Sequence, residues 1–264
     1  MDRYITECYN IHLDQKQIVK NLSIFIHGIE LDLVAYEKCI INLNNLLIKR
    51  NINLKVNWDI VFGDSLKEEK YDNKMDYVVG NPPYIRIHDL ESINYKKFAF
   101  ANKGMTDLFI IFYEISLKML NSNGKLIYIT PNSYFTSTAG EKLRHFIYSN
   151  KKINTIVNLK HFNPFENVTT YTTITLLNNS LNNSIYYFEY DKNKKIPKKI
   201  AKLNYSDFYI NKQFYFSTKN SLNKFRKIML TEFNRDIHIK NGVSSNLDSF
   251  FLIKIIMVNI LLMQ

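Results

Sequence analysis

Short apolar runs alternate with longer amphipathic stretches along much of the chain, and each run ends at a polar or glycine-containing turn. This alternation is typical of strands joined by helices, because neighbouring parallel strands need a crossover connection. The predicted strands are 23–29, 59–62, 75–79, 125–130 and 153–159, with further β structure over 170–177. The predicted helices are 33–49, 106–120 and 139–149, and apolar residues at helical spacing predict one buried face on the second. The sequence therefore predicts an α/β fold built on a parallel sheet.

Length and composition indicate an ordered globular protein. A chain of 264 residues can bury a sizeable core, and its content of 46% hydrophobic and 14% aromatic residues excludes a disordered or fibrous chain. Cys8 and Cys39 lack CxxC spacing, so we predict neither a metal site nor a disulfide, and a cytoplasmic location. Residues 1–20 do not resemble a secretion signal. Residues 250–263 are apolar but shorter than the roughly 18 residues that span a bilayer, so we predict a buried element of a further domain and no membrane partner.

The charge of the chain favours a polyanionic partner. The net charge is +11, and basic proteins gain affinity for nucleic acid by releasing counterions from it. The alternative is that a biased nucleotide composition of the genome accounts for the richness in Lys and Asn. Residues 191–202 contain six lysines and Pro197, which predicts a solvated loop or hairpin. A DNA-contacting strip is the alternative interpretation of that segment.

Polar residues stand at the ends of three successive predicted strands. Glu30, Asp64 and Asn81 each follow such a strand directly or within a turn. In open parallel sheets, ligands bind beyond the carboxyl ends of the strands. The three side chains are therefore predicted to line one crevice.

The segment Asn81-Pro82-Pro83-Tyr84 combines groups that can activate a planar amine. The exocyclic amine of adenine is a poor nucleophile because its lone pair is delocalised into the ring. The Asn81 side-chain oxygen and the Pro82 carbonyl can accept its two hydrogens and localise that pair on nitrogen. Consecutive prolines hold the carbonyl in place, and Tyr84 can stack on a base that has left the duplex. The alternative is that the prolines only terminate the strand.

Residues 78–86, Val-Val-Gly-Asn-Pro-Pro-Tyr-Ile-Arg, resemble the catalytic motif of the amino-methyltransferases. The resemblance is strongest to the γ-class adenine-N6 DNA methyltransferases of restriction-modification systems, and it extends over about 23–251. It implies a Rossmann-like sheet that uses S-adenosylmethionine, and double-stranded DNA with a flipped adenine as partner. It makes Asn81, Pro82, Pro83 and Tyr84 the catalytic residues.

The same resemblance implies a cofactor site. The family's acidic residue at the cofactor ribose matches Glu30, and its Asp at the cofactor adenine matches Asp64, with Ser65 beside it. Asn81 also borders this predicted site. The alternative for each carboxylate is a turn residue or helix cap at the end of a strand.

Three further stretches carry family similarity, namely 106–109, 124–135 and 165–171. The last resembles the region whose aromatic residue packs against the flipped base. Phe165 is the candidate for that role and Tyr171 the second choice, while a core or loop aromatic is the alternative for each.

Both ends of the chain depart from the family pattern. The family's Gly-rich turn, which cradles the methionine part of the cofactor, has no counterpart here, and residues 1–22 resemble the helix that follows it. Residues 242–251 resemble the opening of the DNA-recognition domain. We therefore interpret the chain as an internal fragment that lacks the first strand and its loop. It comprises an incomplete catalytic domain over 1–190, a basic connecting region over 191–240 and the start of a truncated target-recognition domain over 241–264.

The sequence is compatible with three functions. The first is site-specific adenine-N6 methylation of DNA, for which a second polypeptide would supply the missing cofactor loop and recognition domain. The second is a non-catalytic remnant, or the partner subunit of a split enzyme. The third is a methyltransferase of the same fold that acts on protein glutamine or RNA adenine, because the Asn-Pro-Pro-Tyr clamp suits any planar amine.

Overall fold

A computed structural model describes residues 1–87, 97–101, 106–162, 164–165 and 171–230. The helices are α1 Asp2–Asn10, α2 Gln15–Phe25, α3 Leu33–Lys49, α4 Leu108–Met119, α5 Glu141–Ser149, α6 Tyr205–Phe208 and α7 Lys219–Leu230. The strands are β1 His27–Glu30, β2 Asp59–Phe62, β3 Met75–Gly80, β4 Leu120–Pro131, β5 Ile153–Asn158, β6 Thr172–Asn178, β7 Ser184–Asp191, β8 Ile196–Asn204, β9 Tyr209–Ile210 and β10 Gln213–Phe214. A 3₁₀ turn, Asn132–Phe135, follows β4.

The strands form one large sheet and two small ones. The six-stranded sheet has the order β3-β4-β6-β5-β7-β8, in which β3, β4, β5 and β7 run in one direction and β6 and β8 run against them. Strands β1 and β2 form a separate parallel pair, and β9 and β10 a short antiparallel one. The α/β class is confirmed, with a mixed sheet rather than a wholly parallel one.

Two predicted boundaries were wrong. Residues 23–25 lie at the end of α2, whose capping box at Asp14 and Gln17 begins a helix that buries Ile18 and Leu22, so the first strand starts only at His27. Residues 121–124 were predicted as a break after the second helix, but they belong to β4, which starts directly after α4. Asn179 stabilises this extended start, because its backbone amide donates to the Gly124 carbonyl over 2.8 Å.

One core lies between α4, α5 and one face of the six-stranded sheet. Its fully buried side chains include Ile110, Leu126, Leu143, Ile147 and Leu177. Burying each of these contributes about 1.5–3 kcal/mol. Helix α4 is buried almost all round, not on the single face that its spacing predicted.

Buried tyrosines in this core have hydrogen-bond partners. The Tyr134 hydroxyl lies 2.8 Å from Thr175 Oγ1, and the Tyr113 hydroxyl lies 3.2 Å from Thr130 Oγ1. An unpaired buried hydroxyl would cost about 1–3 kcal/mol. The paired threonines therefore allow tyrosines where the fold would otherwise need phenylalanines.

A second core joins α1, α2 and α3 around Ile5, Ile18 and Leu22. Helix α3 contributes little to it, because Leu47 is its only fully buried residue. Four apolar side chains of α3 are more than half exposed: Leu33, Val34, Ile41 and Ile48. The helix therefore presents an apolar surface that the described residues do not cover.

The six-stranded sheet also has an open edge at β3. Strand β3 pairs with β4 on one side, and no described strand pairs with it on the other. Tyr77 and Val79 on this strand are 63% and 70% exposed. In the register of the sheet, Val79 lies beside Ile127 and Ile127 beside Leu176, and the last two are only half-buried. An apolar stripe thus crosses the sheet from its open edge.

The first compact unit runs from Met1 to Asn223. The predicted domain boundary at residue 190 falls inside the β7–β8 hairpin, whose two strands belong to the same sheet. The hairpin predicted for 191–202 is confirmed. Of the second unit, Lys224–Gln264, the structure describes only the end of α7, so the predicted start of a recognition domain over 241–264 lies outside the described residues. None of the described helices combines the length and apolar character needed to cross a bilayer.

Candidate active site

The Asn-Pro-Pro-Tyr segment begins where β3 ends. Gly80 is the last residue of β3 and pairs with Tyr128 of β4, and a Cβ at Gly80 would lie 3.0 Å from the Tyr128 ring. A glycine therefore lets the strand end pack closely on that ring. The chain then turns so that Pro82 is buried while Asn81 is exposed. The Asn81 amide is accessible to a ligand, as its predicted role requires.

Tyr84 contacts the Asn81 amide directly. The Tyr84 hydroxyl lies 2.6 Å from Asn81 Oδ1 and 3.1 Å from the Ile129 carbonyl oxygen, and it can donate its one hydrogen to either. Donation to Oδ1 keeps the oxygen end of the amide toward the phenol. An amide oxygen has two lone pairs, so Oδ1 can still accept a hydrogen from a bound amine.

The phenol of Tyr84 stays protonated over a wide pH range. Burial, and secondarily the neighbouring Tyr113, raises its pKa to about 12. At neutral pH the hydroxyl is therefore a hydrogen-bond donor toward Asn81.

Two aromatic rings pack edge-on against Tyr84. The Phe109 and Phe165 ring centroids each lie 6.4 Å from that of Tyr84. The structure thus brings the predicted base-contacting residues Tyr84 and Phe165 together. Tyr171, the second choice, is 52% exposed and contacts His161 instead. Residues 166–170 of the same stretch lie outside the described residues.

The start of α4 holds the segment that follows Tyr84. The Leu108 amide donates to the Ile85 carbonyl over 2.7 Å, and the Ile87 amide donates to the Thr106 carbonyl over 3.0 Å. Burial raises the pKa of Asp107, and the nearby Arg86 partly offsets that rise. Backbone pairing between Arg86 and Asp107 completes this short ladder.

Glu30 lies at the carboxyl end of β1 and is half-buried. Its Oε1 accepts a hydrogen bond from the Asp32 amide over 3.0 Å, and Asp32 in turn caps α3 by accepting from the Ala35 amide over 2.7 Å. The Glu30 side chain therefore has the turn role considered as its alternative. Its Oε2 makes no hydrogen bond within the described residues.

Asp64 and Ser65 follow β2, and the structure brings them next to Glu30. The Gly63 amide donates to the Glu30 carbonyl over 2.9 Å, which ties the two strand ends together. Asp64 Oδ1 accepts from the Leu66 amide over 2.9 Å, and its Oδ2 lies 3.3 Å from Lys67 Nζ. Ser65 lines a cavity of about 140 Å³ beside this turn.

Glu30 and Asp64 are connected to Asn81 only indirectly. Among the described residues, no hydrogen bond or ion pair joins either carboxylate to Asn81, and β1 and β3 belong to different sheets. Leu66, two residues after Asp64, packs against the cluster that contains Leu108 and Ile111 of α4. Helix α4 thus supports both the Asp64 turn and the segment after Tyr84. One crevice shared by all three side chains remains a prediction.

Sequence reasoning missed two groups that shape the site. The Ile129 carbonyl lies against the Tyr84 hydroxyl from 45 residues away. Glu114 of α4 accepts the amides of Ala99 and Phe100 over 2.9 and 2.7 Å, which anchors part of the connection between Tyr84 and α4. Neither contact has a sequence signal, because each depends on tertiary packing.

The family model for the Eco57I restriction-modification methylase matches residues 8–165. The chain belongs to this family. The matched range includes every predicted catalytic and cofactor-binding residue of the Eco57I-family chain, from Glu30 to Tyr84, and reaches Phe165.

Curated relatives are longer than this Eco57I-family chain. The type II methyltransferase M.BstVI of Geobacillus stearothermophilus is 35% identical over 173 residues, which cover 61% of this chain and 31% of that protein. The type II restriction enzyme and methyltransferase RM.Eco57I of Escherichia coli is 24% identical over a match that covers 87% of this chain and 27% of that protein. The chain therefore spans about a third or less of these relatives.

Solved structures confirm the fold of the Eco57I-family chain. The EcoKI M protein of a type I restriction enzyme has a TM-score of 0.55 at 16% identity, over 86% of this chain and 45% of that one. A nuclease-deletion mutant of the type ISP enzyme LlaGI, in complex with a DNA substrate mimic, has a TM-score of 0.58 at 15% identity, over 75% of this chain and 25% of that one. These likenesses confirm the Rossmann-like methyltransferase fold.

Proposed function

We propose that this chain carries the substrate-base site of a site-specific DNA methyltransferase that modifies the N6 amine of adenine in a restriction-modification system. One observation carries the proposal. Asn81 is exposed at the carboxyl end of β3, with its Oδ1 held beside the Tyr84 hydroxyl at 2.6 Å. This is an acceptor in a fixed orientation at the edge where ligands of α/β sheets bind.

The catalytic roles follow from hydrogen-bond chemistry. Asn81 Oδ1 and the Pro82 carbonyl accept the two hydrogens of the adenine amine, so that its lone pair is localised on nitrogen. Pro82 and Pro83 hold that carbonyl without an ordering cost during the reaction. Tyr84 and Phe165 contact the base, which has to leave the duplex because its amine is otherwise paired. No protein nucleophile is needed.

S-adenosylmethionine is the proposed cofactor, and the side chains at the ends of β1 and β2 suit it. It supplies an electrophilic methyl group when bound. Glu30 Oε2, which is not engaged within the described residues, is an acceptor suited to ribose hydroxyls. Asp64 and Ser65 lie on the neighbouring strand end and suit the adenine amine of the cofactor, and Asn81 borders the methyl donor.

A second polypeptide is proposed to complete the site. We propose that this polypeptide adds a strand beside β3. Three features support the proposal: the separate β1–β2 pair, the open edge of β3, and the exposure of Tyr77 and Val79 on that edge. That polypeptide would also supply the loop for the methionine part of the cofactor and the recognition domain. The assembly is proposed to act on double-stranded DNA in the cytoplasm.

Transfer of tritiated methyl groups tests the proposal. The full chain, alone and co-expressed with candidate partners, is incubated with labelled S-adenosylmethionine and DNA, ribosomal RNA or release-factor protein. We expect label in DNA adenine from a co-expressed complex, and its loss in Asn81→Ala. Label only in RNA or protein would refute the DNA assignment. Robust turnover by the chain alone would refute the need for a second polypeptide.

Calorimetric titration of S-adenosylmethionine tests the cofactor site. We expect binding by the co-expressed complex, and binding weakened about tenfold or more by Glu30→Gln, because one carboxylate acceptor of the ribose becomes a neutral amide. If the unaltered and the Glu30→Gln complexes bound S-adenosylmethionine with equal affinity, Glu30 would not be part of the cofactor site.

A further inference from the structure

The turn between β7 and β8 carries an exposed cluster of lysines. We call Lys192, Lys194 and Lys195 the hairpin-tip lysines; all three are exposed, and they follow Asp191, the last residue of β7. Lysines are common on edge strands, where they prevent unwanted strand pairing. The hairpin-tip lysines lie beyond the paired residues, so that explanation does not apply to them.

The charge of the tip is not neutralised by its nearest carboxylates. Asp191 Oδ1 accepts the backbone amides of Asn193 and Lys194 over 2.9 and 3.2 Å. Glu189 makes an ion pair with Lys160 at 2.5 Å and stands opposite Lys198 in the ladder. Within the described residues, the hairpin-tip lysines make no ion pair. They form a local positive charge that faces solvent.

The register of the sheet places this tip on the same side as the Asn-Pro-Pro-Tyr segment. A row of paired residues crosses five strands, from Gly80 through Tyr128, Thr175 and Ile156 to Tyr187. Strands β3 and β7 run in the same direction, so the chain leaves this row toward the carboxyl ends of the parallel strands in both cases. Four strand spacings separate them, or about 19 Å at roughly 4.8 Å each.

The hairpin also projects further than the catalytic segment does. Asn81 follows the row by one residue, and Lys192 follows it by five. At about 3.3 Å per residue, the tip lies roughly 13 Å further from the row along β7 than Asn81 does along β3. The tip and Asn81 therefore both lie beyond the carboxyl ends of parallel strands, where DNA bound at the Asn81 site would pass. A separation of about 19 Å corresponds to five or six base pairs, at roughly 3.4 Å each.

We propose that the hairpin-tip lysines bind backbone phosphates of the DNA whose adenine enters the Asn81 site. This inference rests on the proposed function and adds a DNA-contacting surface to it. The contacts are to phosphates, so they position the duplex without reading its sequence. Lys199 and Lys202 are not part of this surface, because they lie over the Tyr186 ring at 4.4 and 5.8 Å.

Salt-dependent DNA binding by the full chain tests the proposal. The affinity for a fluorescein-labelled duplex of mixed sequence is measured by anisotropy over a series of salt concentrations. Each phosphate contact contributes about 0.9 to the slope of log affinity against log salt. We expect the triple variant Lys192→Gln, Lys194→Gln, Lys195→Gln to lower that slope by about 2 to 3, and to bind more weakly at every salt concentration.

A matched control removes the same charge from three lysines that precede the row. Lys74 precedes β3, Lys125 lies in the middle of β4, three residues before the row, and Lys151 precedes β5; all three are exposed. We expect their combined change to Gln to lower the slope by less than about 1, since these lysines would contact no phosphate. Equal effects of the two triple variants, or no DNA binding by the unaltered chain, would overturn the proposal. Circular dichroism melting of both variants checks that they remain folded.

Asn81→Ala separates this proposal from the proposed function. Its readout is methyl transfer by the co-expressed complex, whereas the readout for the hairpin-tip lysines is the salt slope of DNA binding. Methyl transfer that survives in Asn81→Ala would refute the catalytic proposal and leave the hairpin result standing. A hairpin variant with unaltered salt slope and intact methyl transfer would refute only the hairpin.

Discussion

Glu114 anchors residues 97–101 to α4, and its replacement should destabilise the protein measurably. Its two carboxylate oxygens accept the amides of Ala99 and Phe100 over 2.9 and 2.7 Å. Phe98 and Phe100, which this anchor holds in place, are buried in separate parts of the core. Glu114→Gln keeps the shape of the side chain but turns one acceptor into an amide donor.

The size of the effect follows from the two hydrogen bonds. A hydrogen bond to a charged acceptor contributes about 1.5–3 kcal/mol, and one to a neutral acceptor contributes about 0.5–1.5 kcal/mol. In the variant, one backbone amide faces the new side-chain NH₂ group and loses its acceptor. Losing one bond and weakening the other sums to roughly 2.5–4.5 kcal/mol. Since Glu114 is partly exposed, water replaces some of this, and we expect a loss of about 2 kcal/mol.

Urea unfolding followed by circular dichroism measures this loss. With a slope of about 3 kcal/mol per molar urea, the midpoint should fall by about 0.7 M. Lys118→Gln is the control on the same helix, since its ion pair with Asp72 spans 3.8 Å and the lysine is 59% exposed. A surface pair of this kind contributes about 0–1 kcal/mol. A Glu114→Gln midpoint no lower than that of Lys118→Gln would refute the anchor.

Three other outcomes follow from the structure. Tyr84→Phe should slow methyl transfer by the assembled enzyme about threefold to tenfold, because the hydroxyl that orients Asn81 is lost. The Michaelis constant for DNA should rise little, because the ring remains. Equal rates of the two enzymes would exclude the orienting role. Gly140→Ala should lower the melting temperature, because the added Cβ would lie 2.4 Å from the Tyr134 carbonyl oxygen. Gly63→Ala is the control and should change the melting temperature far less, because the nearest atom to its added Cβ lies 3.5 Å away. Burial raises the pKa of Tyr84 from its ordinary 10 to about 12 in the folded protein. The contribution of the protonated phenol to the free energy of unfolding should therefore be complete below pH 10 and be lost as pH rises through about 12. If the free energy of unfolding of Tyr84→Phe fell as steeply over this range as that of the unaltered chain, this expectation would be wrong.

Much of the fold could be predicted because local and tertiary signals agree. Helix α3 has the predicted bounds, since Asp32 caps its start and polar residues follow Lys49. The prediction of a strand at residues 23–25 was wrong because a short apolar run suits a helix and a strand equally well. The position of the Asn81 segment at a strand end was predictable for the same local reason, since consecutive prolines cannot continue a strand.

The detail of the site was less predictable, because it depends on contacts between distant residues. Phe165 lies beside Tyr84, and only the resemblance to the family singled it out among 18 phenylalanines. The bond between the Tyr84 hydroxyl and the Ile129 carbonyl depends on how β3 and β4 pair, which no sequence spacing reveals. The relation of Glu30 and Asp64 to Asn81 depends on a second sheet that does not pair with β3.

The open edge of β3 has a consequence for how the chain is produced. Exposed Tyr77 and Val79 lie beside backbone groups that no described strand pairs with. They form a template on which another newly made copy can add a strand. We expect a larger fraction of the chain in inclusion bodies when it is synthesised by itself, and fractionation of the lysate measures it. It should stay in the supernatant when a strand donor is translated from the same messenger. Reconstitution by mixing separately purified chains should therefore be far less efficient than simultaneous synthesis.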